Sequence, residues 1–270
     1  VALQRERILI LAKTYPSPSA NYIETSCVAG INSTGQMRRL FPVPFRLLDD
    51  EQQFSKWQWI DANVEKARND HRPESFRIDV GTLECRERIA PKNEWRERRE
   101  WIGRLPQFES FSALESWSSE TKGSLALLRP TELKALDIVP ARRIDWSEDE
   151  ISKLTRAQSQ GSLLTEPEAR VEIAMLNKLP CDFYYRYACT DGIERRHKIV
   201  DWEAGQLYRR CLKDYGLECD DMFRQKLLDS MLAKDTMLLM GNQHRFQDQW
   251  LVISLIYPPK QTPTNQYALF

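Results

Sequence analysis

Residues 7–13, RILILAK, carry five consecutive apolar side chains, so an extended chain built from them is apolar on both faces. Such a strand must be covered on both sides, which places it at the centre of a layered fold. It runs into Thr14-Tyr-Pro-Ser-Pro-Ser-Ala20, where two prolines in three residues end regular structure and predict a stiff loop. Residues 22–31 then alternate, Asn32-Ser-Thr-Gly35 supplies a turn, and residues 36–41 return, which predicts a hairpin. Residues 57–66 and 75–86 read as two further strands. Strands joined by short turns make an antiparallel sheet.

Helices are expected at 93–104 and 111–122, with short strands at 125–128 and 133–139. Ser147-Glu-Asp-Glu150 has the form of a capping box, and the polar stretch 158–168, with Gly161 and Pro167, reads as a linker. Residues 182–189 (DFYYRYAC) predict a strand that turns at Asp191-Gly192 and returns through 193–200. Asp201 caps a helix over 202–215 that Gly216 ends, and a second helix covers 220–233. Residues 236–240 and 250–257 form a buried hairpin. The expected fold is α+β: mainly antiparallel sheets with a few peripheral helices, in two subdomains. The expected division is a β-rich part at 1–146, a helix and linker at 147–168, and an α+β part at 169–270.

Lys+Arg and Asp+Glu both total 39 in 270 residues, so the net charge is zero. That excludes a non-specific polyanion coat, which depends on a large positive excess. No apolar run approaches the 20 or so residues a bilayer needs, and the charged N-terminal stretch lacks a signal-type apolar region. The expected location is the cytoplasm, away from membranes. Cys27, Cys85, Cys181, Cys189, Cys211 and Cys219 contain no CxxC pair, so no structural zinc and no cofactor are expected. Arginine outnumbers lysine by 26 to 13, and eight tryptophans and nine tyrosines add flat surfaces. Arginine forks and aromatic planes suit phosphates and bases; they serve equally in ion pairs and cores.

Four segments can carry chemistry. In the first, Lys13, Ser17, Ser19, Tyr22 and Glu24 surround the proline-rich loop and offer a cation, two hydroxyls, an aromatic plane and a carboxylate. The second, 38–46 (RRLFPVPFR), has no acid nearby and places Arg38, Arg39 and Arg46 beside phenylalanines. The third is the tyrosine strand and its partner, with Tyr184, Arg186, Arg195 and Arg196. The fourth joins the carboxylates Asp201 and Glu203 with His244, a set able to move protons. Glu24, Asp201, Glu203 and His244 are the candidate catalytic residues, and the others the candidate nucleic-acid contacts.

The run Tyr15-Pro-Ser-Pro-Ser-Ala20 resembles, over six residues, the serine-proline loop with which uracil-DNA glycosylases pinch the DNA backbone. Tyr15 stands where that family has histidine, and the family's water-activating motif has no counterpart, so no catalytic assignment carries over. Lys13-Thr-Tyr-Pro-Ser-Pro18, residues 39–46, Asp201-Trp-Glu203 and Gly241-Asn-Gln-His244 resemble a set of prokaryotic proteins, and that resemblance implies no activity. The residues therefore lead to a nucleic-acid recognition protein, with DNA favoured over RNA, reading an unpaired or modified base or a shape through arginine and aromatic contacts. Two other classes fit: an enzyme that excises bases or cleaves phosphodiesters, and an interaction subunit for protein partners.

Overall fold

The computed structural model describes residues 3–19, 23–142 and 178–261. The chain is α+β, with two mixed sheets and few helices. The first sheet contains β1 (Gln4–Lys13), β2 (Ser17–Ser19), β3 (Ile23–Asn32), β4 (Met37–Val43), β5 (Gln58–Lys66) and β6 (Ser75–Arg88). Strand β1 pairs with β5 along its first half and with β3 along its second, and a register shift between Ile10 and Ala12 marks the bend. That double pairing closes a five-stranded barrel in the order β1-β3-β4-β6-β5. Every contact in it is antiparallel except β4 with β6. This is a Greek-key barrel of the OB type.

The second sheet runs β7-β8-β12-β13-β11-β10-β9. Its strands are β7 (Gln107–Phe108), β8 (Leu125–Leu128), β9 (Glu132–Pro140), β10 (Cys181–Ala188), β11 (Glu194–Ile199), β12 (Met237–Asn242) and β13 (Trp250–Ile256). Helix α1 (Arg96–Ile102) follows the barrel, and α2 (Phe111–Thr121) lies between β7 and β8. After β11 come α3 (Trp202–Tyr215) and α4 (Cys219–Arg224), which continues through a wider turn at Gln225–Asp229 into Ser230–Leu232.

The doubly apolar strands sit where their sequences require. Ile8 and Ile10 fill the barrel interior with Val28, Leu40 and Ile60, while Leu9 and Leu11 face the second sheet. There they meet Leu125, Leu127, Leu239 and Ile253, all nearly inaccessible. The opposite faces of β8 and β12 (Ala126, Leu128, Leu238 and Met240) pack with Tyr208, Phe223 and Leu227 beneath the helices. Each large aliphatic side chain buried this way contributes about 1.5–3 kcal/mol, so the two sheets hold each other through a continuous apolar layer.

The expected division at 147–168 does not separate the sheets. Strands β9 and β10, on either side of it, are paired neighbours, and the structural boundary falls between β6 and β7. The capping box at 147–150 and the linker at 158–168 lie outside the described residues. The loop expected at 15–20 is partly a strand: Ser17, Pro18 and Ser19 pair with Thr25, Glu24 and Ile23. Proline is tolerated there because β2 lies at a sheet edge. Among the described residues no helix is long and apolar enough to cross a membrane.

Candidate ligand-binding cleft

Lys13 ends β1, and the next two residues tie the barrel to the second sheet. Thr14 bridges Asp201, and the Tyr15 N–H donates to the Val200 carbonyl at 2.7 Å. Gly205 allows this approach, because a Cβ there would lie 2.7 Å from the Tyr15 ring. Asp201 caps α3 as its position predicts, accepting from the Glu203 N–H at 2.8 Å. Its second oxygen accepts from the Ser254 hydroxyl at 3.2 Å. Ser254 in turn accepts from Lys56 Nζ at 2.7 Å, and the same ammonium donates to the Leu255 carbonyl at 2.5 Å. Lys56, Ser254 and Asp201 are all buried. A polar chain thus crosses from the segment before β5, through β13, to the start of α3.

Beside this chain opens a cleft of about 400 Å³. The barrel side supplies Lys13, Lys56 and Arg88, and the helical side supplies Glu203, Arg210 and Lys226. Trp202 and Tyr257 add aromatic surface, and Asp201 forms part of the floor. Five cations therefore face two carboxylates. Arg88, Arg210 and Lys226 are exposed and make no salt bridge among the described residues. Burial pushes the Lys13 ammonium down to about 8; the carboxylates of Glu203 and Asp201 oppose the shift and the charge of Arg88 adds to it. Burial pushes the Asp201 carboxyl up to about 6 against the pull of Lys56. Burial thus disfavours the charged form of both groups.

Of the expected site residues, the fold brings Lys13, Asp201 and Glu203 together in this cleft. His244 is elsewhere: it lies beyond β12, half exposed, with Nε2 4.0 Å from Asp70. The side chains of Ser17, Ser19 and Glu24, and all of Tyr22, lie outside the described residues, so the pocket expected around them has no structural description.

The arginine stretch is corrected. Arg38 is buried and grips Glu6 through two bonds of 2.7 and 2.9 Å, with its guanidinium 4.4 Å from the Phe76 ring. Arg39 is buried and donates to the Ser124 carbonyl at 2.8 Å. Arg46 is half buried on the short turn Phe45–Leu47. Arg38, whose own stretch holds no acid, receives one from β1. The tyrosine strand divides in the same way. Arg186 and Arg196 share Asp137 on the outer face, where Arg196 covers Tyr184 at 3.7 Å. Arg195 lies on the other face against Phe111 and Asp191.

Residues 107–270 match the model of a family described as a domain of unknown function, DUF8757. The chain belongs to the DUF8757 family. Residues 4–104 match a second model, that of domain of unknown function DUF8758. No curated protein matches the chain at a significant level. The boundary between the two matches coincides with the passage from the barrel to the second sheet. The cleft lies across it, with Lys13, Lys56 and Arg88 in the DUF8758 segment and the α3 residues in the DUF8757 segment.

Sequence reasoning missed Lys56, Arg88, Arg210, Lys226 and Tyr257. One signal was present for the first: Lys56 lies between Phe54 and Trp57 and is a single charge in an aromatic run. The other three cations come from separate elements and converge only in the folded chain.

Proposed function

We propose that this DUF8757 protein recognises nucleic acid, with DNA favoured over RNA, and that the cleft between barrel and helices holds the strand. The observation that carries the reading is the convergence of Arg88, Arg210 and Lys226 on the rim of a cleft floored by Lys13 and Lys56. A chain of zero net charge that gathers five cations at one cavity is suited to a local polyanion contact. Trp202 and Tyr257 offer surfaces on which an unpaired base can stack. The OB-type barrel adds support at the level of fold, since such barrels host oligonucleotide sites. Six free thiols accord with a reducing, cytoplasmic setting.

The test is fluorescence anisotropy with a labelled single-stranded DNA. Arg210 is exposed, so Arg210→Glu should leave the melting temperature unchanged and weaken binding about tenfold, close to 1.4 kcal/mol. Unchanged affinity would remove Arg210 and its side of the cleft from the site.

A further inference from the structure

The two buried lysines of the cleft are held in different ways. Lys56 Nζ donates to Ser254 and to Leu255 and lies 4.0 Å from Glu203, so all three of its protons have acceptors nearby. Lys13 Nζ donates once, to the Phe54 carbonyl at 2.9 Å, and rests 3.6 Å from the centre of the Phe45 ring. A neutral amine has two N–H bonds and one lone pair. With one N–H on the Phe54 carbonyl and the Phe45 ring against another side of the nitrogen, one position remains toward the cleft that Lys13 lines, and the lone pair of the neutral amine can take it. Its backbone is rigid because Lys13 is still paired with Val28 in β3. Burial pushes its pKa down to about 8, so the neutral amine forms more readily than on an exposed lysine.

The carboxylates are also distinguished. Both oxygens of Asp201 are engaged, by the Glu203 N–H and the Ser254 hydroxyl, which makes Asp201 a positioning residue. Glu203 has a half-exposed side chain in the same cavity. A desolvated amine, an open carboxylate and a cationic rim form a set suited to a carbonyl next to a phosphate.

We propose that Lys13 is a nucleophile for the aldehyde of an abasic site in DNA, and that Glu203 is the base for the strand-breaking elimination that follows. The proposal rests on the nucleic-acid reading above. The Lys13 nitrogen adds to C1′, the carbonyl oxygen takes up protons and leaves as water, and a C=N bond forms. Glu203 removes a C2′ proton, the C3′–O bond breaks, and the 3′ phosphate departs with both electrons of that bond. Arg88, Arg210 and Lys226 offset the charge on the departing phosphate. Water then hydrolyses the unsaturated imine and returns the free amine. No oxidant or reductant is consumed.

The experiment incubates the full chain with a single-stranded oligonucleotide carrying one abasic site, in the presence of borohydride, which reduces the imine to a stable secondary amine. The expected product is a one-to-one covalent adduct that peptide mapping of the unsubstituted protein places on Lys13. The Lys13→Met variant should form none. Glu203→Gln should still form the adduct, while strand cleavage without borohydride falls about 100-fold. An adduct mapped to Lys56 or any other residue would overturn the proposal. So would the absence of an adduct while the intact oligonucleotide still binds, and that result leaves the recognition reading standing. Failure of both oligonucleotides to bind would overturn both.

Discussion

Arg38→Met should destabilise the protein by about 3–5 kcal/mol, the range found when one partner of a buried ion pair is removed. Methionine keeps the unbranched stem but leaves the Glu6 charge without a cation and with only the Gln4 amide on one oxygen, since Arg38 supplies two bonds to its carboxylate and the side chains are only 8% and 10% exposed. The Phe76 ring loses the nearer of its two cations as well and keeps Lys66 at 5.2 Å. Urea unfolding measures the loss. The double variant Glu6→Leu with Arg38→Met should recover most of it, because the stranded charge is then gone. A loss below about 1 kcal/mol, together with weakened DNA binding, would make Arg38 a ligand contact rather than a structural ion pair.

The second large effect concerns acid. His197 Nδ1 lies 2.9 Å from the Tyr187 hydroxyl, and its ring packs against Phe111 and Tyr187. Burial, with the charge of Arg195, pushes the imidazole down from its ordinary 6.5 to about 4. Between those values the unfolded chain binds a proton that the folded chain refuses. The contribution is therefore fully present above about pH 6.5 and is lost as pH falls through about 4, amounting to about 3 kcal/mol. His197→Gln keeps a partner for the Tyr187 hydroxyl and carries no proton in this range. Its stability measured in urea should fall less steeply than that of the unsubstituted protein between pH 6.5 and 4. Parallel curves would mean that His197 titrates normally in the folded state.

The elements were legible because their signals are local. Five consecutive apolar residues require a strand covered twice, and Ile8 and Leu9 do face two different cores. Asp201 and Gly216 bracket α3 because a cap and a stop need only the adjoining backbone. The division of the chain was misread because composition changes at 147–168, whereas the sheets divide according to pairing: β9 and β10 are neighbours across that gap. Barrel closure was hidden for the same reason, since β1 meets β5 and β3 at long range. In the site, Lys13 and Asp201 were each visible as the end of a regular element. Their meeting depends on the Thr14 bridge and on the room Gly205 leaves for Tyr15. Arg38 misled because its acid lies 32 residues away on β1, and an acid-free stretch is not an unpaired one.

The central claim is that nucleic acid lies in the cleft rather than across the outer face of the second sheet. The salt dependence of single-stranded DNA affinity separates the two surfaces. Each phosphate neutralised on a single strand contributes about 0.7 to the slope of log affinity against log salt concentration. Replacing Arg88, Arg210 and Lys226 together by alanine should lower that slope by about 2. Replacing Arg186, Arg196 and Lys198 should leave it unchanged, because Asp137, Glu194 and Asp182 already pair with those cations. A slope that survives the cleft substitutions and falls with those on the outer face would contradict the account.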